Sequence, residues 1–235
     1  MDLPILMYHK IGYPKPGQRY RNLSVNPQKF AGQVRWLKHR GYRTVTFADL
    51  SAPAVRLPPK PVMLTFDDGY ENYYTDAFPI LEAAGFTACV YVVVSLVGKT
   101  NEWSRGRTDV EERLMTWAQI EELQRRGMEF GSHTMTHREL QGDAVPHLPE
   151  EIGHSKRALE DRLGRPVLSF AWPGGVGADS TAQRAFIARC GYRFACRADG
   201  GREIWPPRDP LALRRDAVGE KHSWHAFAWK LGALW

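Results

Sequence analysis

The sequence predicts an α/β fold in which short parallel strands alternate with helices and close into a distorted, incomplete (β/α) barrel with fewer than eight regular strands. Three observations carry that reading. One unit recurs along the chain: an amphipathic helix, a glycine that stops it, and a short apolar strand. The segment Thr87 to Val94 is apolar almost throughout, as a parallel strand covered on both faces must be. With 235 residues, the chain is long enough for one such domain with a full core, so residues 1–235 are read as a single unit.

The elements follow in order. Ile5 to Tyr8 is a first strand. Asn26 and Pro27 supply a cap and a first-turn proline for a helix whose face is Phe30, Val34 and Leu37, ended by Gly41. Strand Arg43 to Thr46 follows, then the apolar run Val62 to Phe66. A helix from about Tyr73 to Ala84 stops at Gly85 and feeds Thr87 to Val94. Thr116 and Gln119 have capping-box spacing at the head of Trp117 to Arg126, where Trp117, Ile120 and Leu123 form the stripe and Gly127 the stop. The next unit carries Ile152, Leu159 and Leu163, the stop Gly164 and strand Val167 to Ala171. A second capping box, Ser180 to Gln183, opens a helix ending at Gly191 before strand Arg193 to Ala195. Tyr13 to Arg21, Ser51 to Lys60, Val97 to Asp109 and Pro206 to Pro210 are rich in Gly, Pro or charge and read as loops.

Composition narrows the function classes. The net charge of +6 comes from scattered arginines, and no basic run with interleaved aromatics supports nucleic-acid binding. Attraction to an anionic polymer or a membrane surface stays open. Cys89, Cys190 and Cys196 are odd in number and lack C-x-x-C spacing, so they read as core thiols in a reducing compartment. No apolar stretch is long enough to cross a membrane. Met1 to Lys10 has no basic leader region, so the chain as it stands is expected to be cytoplasmic or loosely peripheral, and periplasmic or at the cell surface if a leader has been removed.

The chemistry concentrates at strand ends. The run Val62 to Phe66 stops in Asp67, Asp68 and Gly69, and a glycine there allows the positive φ that can bring both carboxylates to one cavity. A cation would separate their roles: one aspartate ligates it, and the other stays ionised to accept a proton. The competing reading is a solvated turn, since Asp-Asp-Gly is ordinary turn chemistry. His133 and His137, four apart, have the spacing to converge on one ion from a helical turn. With Asp68 they make two imidazoles and one carboxylate, a set that leaves a coordination position open. Asp67/Asp68, His133/His137 and Trp172-Pro173 each follow a strand, and in a parallel barrel those ends share one face. The loop around Trp103 follows a strand too and can overhang that face, as can Trp205. Trp224 and Trp229, near Phe227, read as core, and His39, His147, His154, His222 and His225 as surface or structural histidines.

Over nearly its whole length the chain resembles the polysaccharide deacetylases of the NodB-homology type, carbohydrate esterase family 4. Thr65-Phe66-Asp67-Asp68-Gly69 matches that family's TFDDG motif, and His133 to His137 its H-[ST]-x-x-H. Phe170-Ala171-Trp172-Pro173-Gly174-Gly175 is similar to a third motif in the F-A-[YW]-P-x-G form of one subset, whose members tend to begin with a Tyr-His pair like Tyr8-His9. Two features common in the family are missing: the arginine at the start of the third motif that contacts the catalytic aspartate, and the C-terminal Leu-x-x-His that supplies an acid.

The resemblance implies a NodB-type barrel and metal-dependent removal of N-acetyl groups from an amino-sugar polymer or oligosaccharide. The cation would be zinc by its donor set, held by Asp68, His133 and His137. Asp67 would be the base, and the backbone amide of Tyr70 an oxyanion donor. With Leu-x-x-His absent, His9, at the end of the first strand, is the candidate acid. Arg215, in Leu213-Arg214-Arg215-Asp216-Ala217-Val218, resembles the arginine of an L-P-R-I-x-V stretch and is a candidate replacement for the missing one. Trp172, Pro173, Trp103 and Arg215 are expected to meet the substrate. Two alternatives stand beside this: an amide hydrolase for a small cyclic amide or ureide, and a non-catalytic carbohydrate-binding module, which would have little use for Asp67.

Overall fold

The structure, a computed structural model, describes residues 1–18, 20–104 and 110–232. The last part of the loop expected over Val97 to Asp109, and one residue of the loop Tyr13 to Arg21, lie outside the described residues. We number the strands of the main sheet β1 (Ile5–Tyr8), β2 (Arg43–Thr44), β3 (Pro61–Phe66), β4 (Cys89–Val92), β5 (Glu129–Ser132), β6 (Ser169–Ala171), β7 (Phe194–Cys196) and β8 (Asp216–Ala217). The helices are α1 (Pro27–His39), α2 (Phe47–Leu50), α3 (Phe78–Ala84), α4 (Trp117–Arg125), α5 (Ser155–Leu163), α6 (Thr181–Arg189) and α7 (Trp224–Lys230).

Neighbouring strands run in the order β7-β6-β5-β4-β3-β1-β8, with β2 beside the start of β3. Every one of these pairings is parallel. The sheet curls until Leu213, just ahead of β8, bridges Cys196 of β7. Eight strands take part where fewer were expected, and one bridge in place of a strand pair is what makes the barrel incomplete.

Caps set the helix starts. Asn26 Oδ1 accepts from the Lys29 amide at 2.8 Å, and Thr116 and Gln119 form the expected reciprocal box. The box at Ser180 is half made: Ser180 Oγ accepts from the Gln183 amide, but the Gln183 side chain donates to the Leu140 carbonyl at 2.8 Å instead. The side chain thus satisfies a buried carbonyl rather than the cap. The segment expected as one helix from Tyr73 opens as a π-turn, Tyr73–Ala77, before α3.

The period-2 alternation of the strands divides the core in two. Leu6, Tyr8, Val62, Leu64, Phe66, Val90 and Val92 face the helices, while Ile5, Met63, Cys89, Tyr91 and Ala171 fill the barrel interior. Gly131 on β5 lets Tyr91 occupy that interior, since a Cβ there would lie 2.5 Å from Tyr91 Cε1. Two tryptophans depart from expectation on α7: Phe227, Ala228 and Leu231 take the inward face, leaving Trp229 68% and Trp224 43% exposed. Trp205 is not at the rim. Its amide donates to the Met1 carbonyl and its ring packs on Phe194, at the end of the barrel where β1 begins. No helix among the described residues is long and apolar enough to cross a membrane.

Candidate metal centre and its cleft

The parity that sorts the core also aims the site. Met63, Thr65 and Asp67 alternate onto the interior face of β3, so the Asp67 side chain continues into the barrel mouth. Asp68 would point the other way, but its backbone is left-handed, φ 76°, as is that of Gly69, φ 74°. That turn brings both carboxylates to one cleft. Asp68, Thr134 and His137 are the non-glycine residues with left-handed φ among the described residues. Backbone strain gathered at one place marks a conformation the surroundings impose.

His133 and His137 do not sit on a helical turn. They flank a loop past the end of β5, in which Thr134 has φ 69° and His137 φ 65°. The loop folds both rings back onto Asp68. Nε2 of His137 lies 3.1 Å, and Nε2 of His133 3.5 Å, from Asp68 Oδ1. One donor atom from each residue falls within 4.8 Å of the others.

Donor chemistry tests whether this group fits a cation. His133 Nδ1 lies 2.9 Å from the Ala171 carbonyl, which can only accept, so Nδ1 carries the proton, and in the neutral ring that leaves Nε2, the atom nearest Asp68, as a lone-pair donor to a cation. Asp68 Oδ1 is buried without a hydrogen-bond partner among the described residues. A buried carboxylate oxygen left without a hydrogen bond, with two imidazole nitrogens 3.1 and 3.5 Å away, is the mixed donor set that a cation takes up. The residues therefore fit a divalent cation.

Asp67 has a different environment. Arg215, itself 0% exposed, reaches up from the position just ahead of β8 and grips both carboxylate oxygens, at 2.6 and 2.7 Å. It also donates to Thr65 Oγ1 and to the Arg197 carbonyl. Burial pushes the Asp67 carboxyl up. Arg215, helped by His133 and His9, more than reverses this and leaves it below the ordinary carboxylate range. Burial likewise raises Asp68, and the adjoining imidazoles more than reverse this and hold it well below the ordinary carboxylate range.

His9 follows β1 and lines the same cleft as Asp67, Asp68, Tyr70, His133 and His137, a space of about 830 Å³. Burial holds its imidazole below the usual value, against the pull of Asp68 and Asp67. Trp103, half-buried, forms another wall: its indole stacks on His137 at 4.5 Å and lies 6.2 Å from the Tyr70 ring.

Three expected substrate contacts are elsewhere. Trp172 is 0% exposed, because it shares the parity of Phe170 and packs edge-on against that ring in the helix layer. Pro173 is buried beside it, and Gly174 takes its place in the cleft lining. Arg215 is reserved for Asp67. Sequence reasoning missed Lys10, whose ammonium lines the cleft 4.5 Å over the Tyr70 ring and pairs with buried Glu112. It also missed Ala171, which acts through a backbone carbonyl and so left no trace in residue type.

With this geometry in hand, comparison with known proteins is decisive. Residues 54–195 match the family model described as polysaccharide deacetylase. The chain belongs to the polysaccharide deacetylase family. A polysaccharide deacetylase structure from Bacillus cereus superposes with a TM-score of 0.81 at 28% identity, covering 98% of this chain and 69% of that one. Streptococcus pyogenes deacetylase PplD, solved in complex with acetate, gives a TM-score of 0.81 at 26% identity over 98% of both chains. In sequence, the chain is 28% identical to YxkH of Bacillus subtilis over 85% of its own length and 65% of YxkH. It is 34% identical to the poly-β-1,6-N-acetyl-D-glucosamine N-deacetylase of Escherichia coli over 61% of its length and 22% of that protein. The chain thus spans under two thirds of both relatives. The barrel expected from the sequence is the fold of this polysaccharide deacetylase family.

Proposed function

We propose that the chain removes N-acetyl groups from an amino-sugar polymer or oligosaccharide and releases acetate. One observation carries this reading: a second carboxylate, Asp67, stands beside the Asp68, His133 and His137 group in one cleft and is held ionised by a guanidinium. A binding module has no use for it. The relative from Escherichia coli, named for poly-β-1,6-N-acetyl-D-glucosamine, supports an acetamido sugar as substrate.

Asp68 and the Nε2 atoms of His133 and His137 would hold the cation, zinc by the mixed imidazole and carboxylate donors. When bound, such an ion supplies Lewis acidity that acidifies water and polarises the acetamide oxygen. Asp67 accepts the proton of the attacking water, with Arg215 fixing its oxygens. The Tyr70 backbone N–H donates to the acyl oxygen as negative charge develops there. His9, after taking up a proton, gives it to the departing amine nitrogen. Trp103 offers an apolar wall to a sugar ring.

The test is acetate release by purified protein from N-acetylglucosamine oligomers, peptidoglycan and chitin oligomers, with a cyclic ureide alongside. Turnover of an acetamido glycan is expected. Hydrolysis of the ureide alone would overturn the proposal.

A further inference from the structure

The two histidines are anchored unequally. His133 is fixed by its own ring, through Nδ1 and the Ala171 carbonyl. His137 has no comparable ring hydrogen bond among the described residues: Trp103 stacks on it and the His133 ring meets it edge-on. Where its Nε2 lies therefore depends on the backbone of a loop with two left-handed non-glycine residues, a conformation the chain does not adopt unaided.

Something must hold that loop, and the holder is on another element. Glu151, 4% exposed, lies in the helical segment Pro149–His154 that runs into α5. Its Oε2 accepts from the amides of Met135 and Thr136, both at 3.0 Å, and its Oε1 from the Thr136 hydroxyl at 2.6 Å. Four residues on, Ser155 Oγ accepts from Ser132 Oγ at 2.8 Å, and Ser132 Oγ accepts from the Thr134 amide. One helical face thus grips the loop from both sides. Inside the loop, Thr134 Oγ1 accepts from the His137 amide at 2.9 Å, which passes the restraint on to His137.

A carboxylate suits this place because it only accepts, and three donors converge on it. Hydrogen bonds to a charged acceptor are the stronger kind. We propose that Glu151 is a positioning residue that sets the cation affinity of the site, by holding the backbone from Met135 to His137 and through it Nε2 of His137. This rests on the reading that Asp68, His133 and His137 bind a divalent cation.

The experiment is zinc affinity of the chelator-stripped full chain, measured by competition with a chromophoric chelator, beside its thermal midpoint without metal. Glu151→Ala is expected to weaken zinc about 10- to 100-fold, the scale for losing an outer partner of a metal ligand. Glu151→Gln should stay close to wild type, because its carbonyl can accept from both amides while its NH₂ donates to the Thr136 oxygen. That rescue separates positioning from charge. An Ala variant with a lowered midpoint but unchanged zinc affinity would overturn the inference, as would a Gln variant as weak as Ala. Should the Ala variant not fold, Thr136→Val removes one contact alone; a smaller weakening supports the inference and unchanged affinity overturns it. Wild-type protein that takes up no zinc would overturn the underlying metal reading itself, and the inference with it.

Discussion

Arg215 and Asp67, 148 residues apart in the chain, meet as a fully buried bidentate pair. The carboxylate gets its position from the parity of β3 and its charge state from a guanidinium entering ahead of β8. A base held this way cannot rotate, and proton acceptance needs that fixed geometry more than it needs high basicity.

Removing one partner should therefore cost more than removing both. Arg215→Met strands a buried carboxylate and is expected to lower unfolding free energy by about 3–5 kcal/mol. Adding Asp67→Asn should recover part of that loss, giving a favourable coupling energy in a double-mutant cycle followed by urea denaturation. Additive losses would mean the contact is energetically idle. Asp67→Asn alone should keep zinc while turnover falls at least ~10²-fold, as removal of a positioned base does.

His9 carries a sharper prediction. If it protonates the departing amine, His9→Ala should cut kcat on acetamides and leave zinc affinity nearly unchanged. An activated aryl acetate, whose leaving group needs little proton, should be much less affected. Because burial holds the imidazole below its ordinary pKa, the acetamide rate that depends on it should decline as pH rises toward neutrality. Equal losses on both substrates would assign His9 a positional role.

Much of this site was legible because the sequence places chemistry directly after apolar runs. Asp67 and Asp68 after Phe66, and the histidines after Ser132, could be put on one face from strand direction alone. The stretch around Arg215 hints at its pairing with Asp67, but the contact itself depends on which interior side chains share a level in the barrel, and no local pattern encodes that. Trp172 was misread for want of parity: it shares a face with Phe170, and that face turns to the helices. The histidine loop was misread because four-residue spacing fits a helical turn and an irregular turn equally well, and only tertiary contacts such as Glu151 decide between them. Trp229 looked like core because nothing local says which side of a seven-residue helix meets the barrel.

Far from the site, Glu129 gives a prediction about stability. Burial pushes its carboxyl up to about 7, although the amides of Phe47 and Ala48 donate to it and pull the other way. Between its ordinary value near 4.5 and about 7, the folded chain keeps a proton that the unfolded chain releases. Its contribution is then complete below that window and is lost as pH rises through it. Urea midpoints measured across that window should fall more steeply in wild type than in Glu129→Gln; parallel curves would contradict the assignment.

On the proposed reading, Asp68, His133 and His137 hold a divalent cation on which deacetylation depends. The most direct measurement strips the protein with a chelator, then returns zinc stepwise while acetate release from an N-acetylglucosamine oligomer is followed. The rate should begin near zero and rise to a plateau at about one equivalent per chain, the stoichiometry of a single three-ligand site. The triple variant Asp68→Ala, His133→Ala, His137→Ala should stay flat throughout. Full activity in the stripped protein, or a normal titration by the triple variant, would rule out a catalytic cation at these three residues.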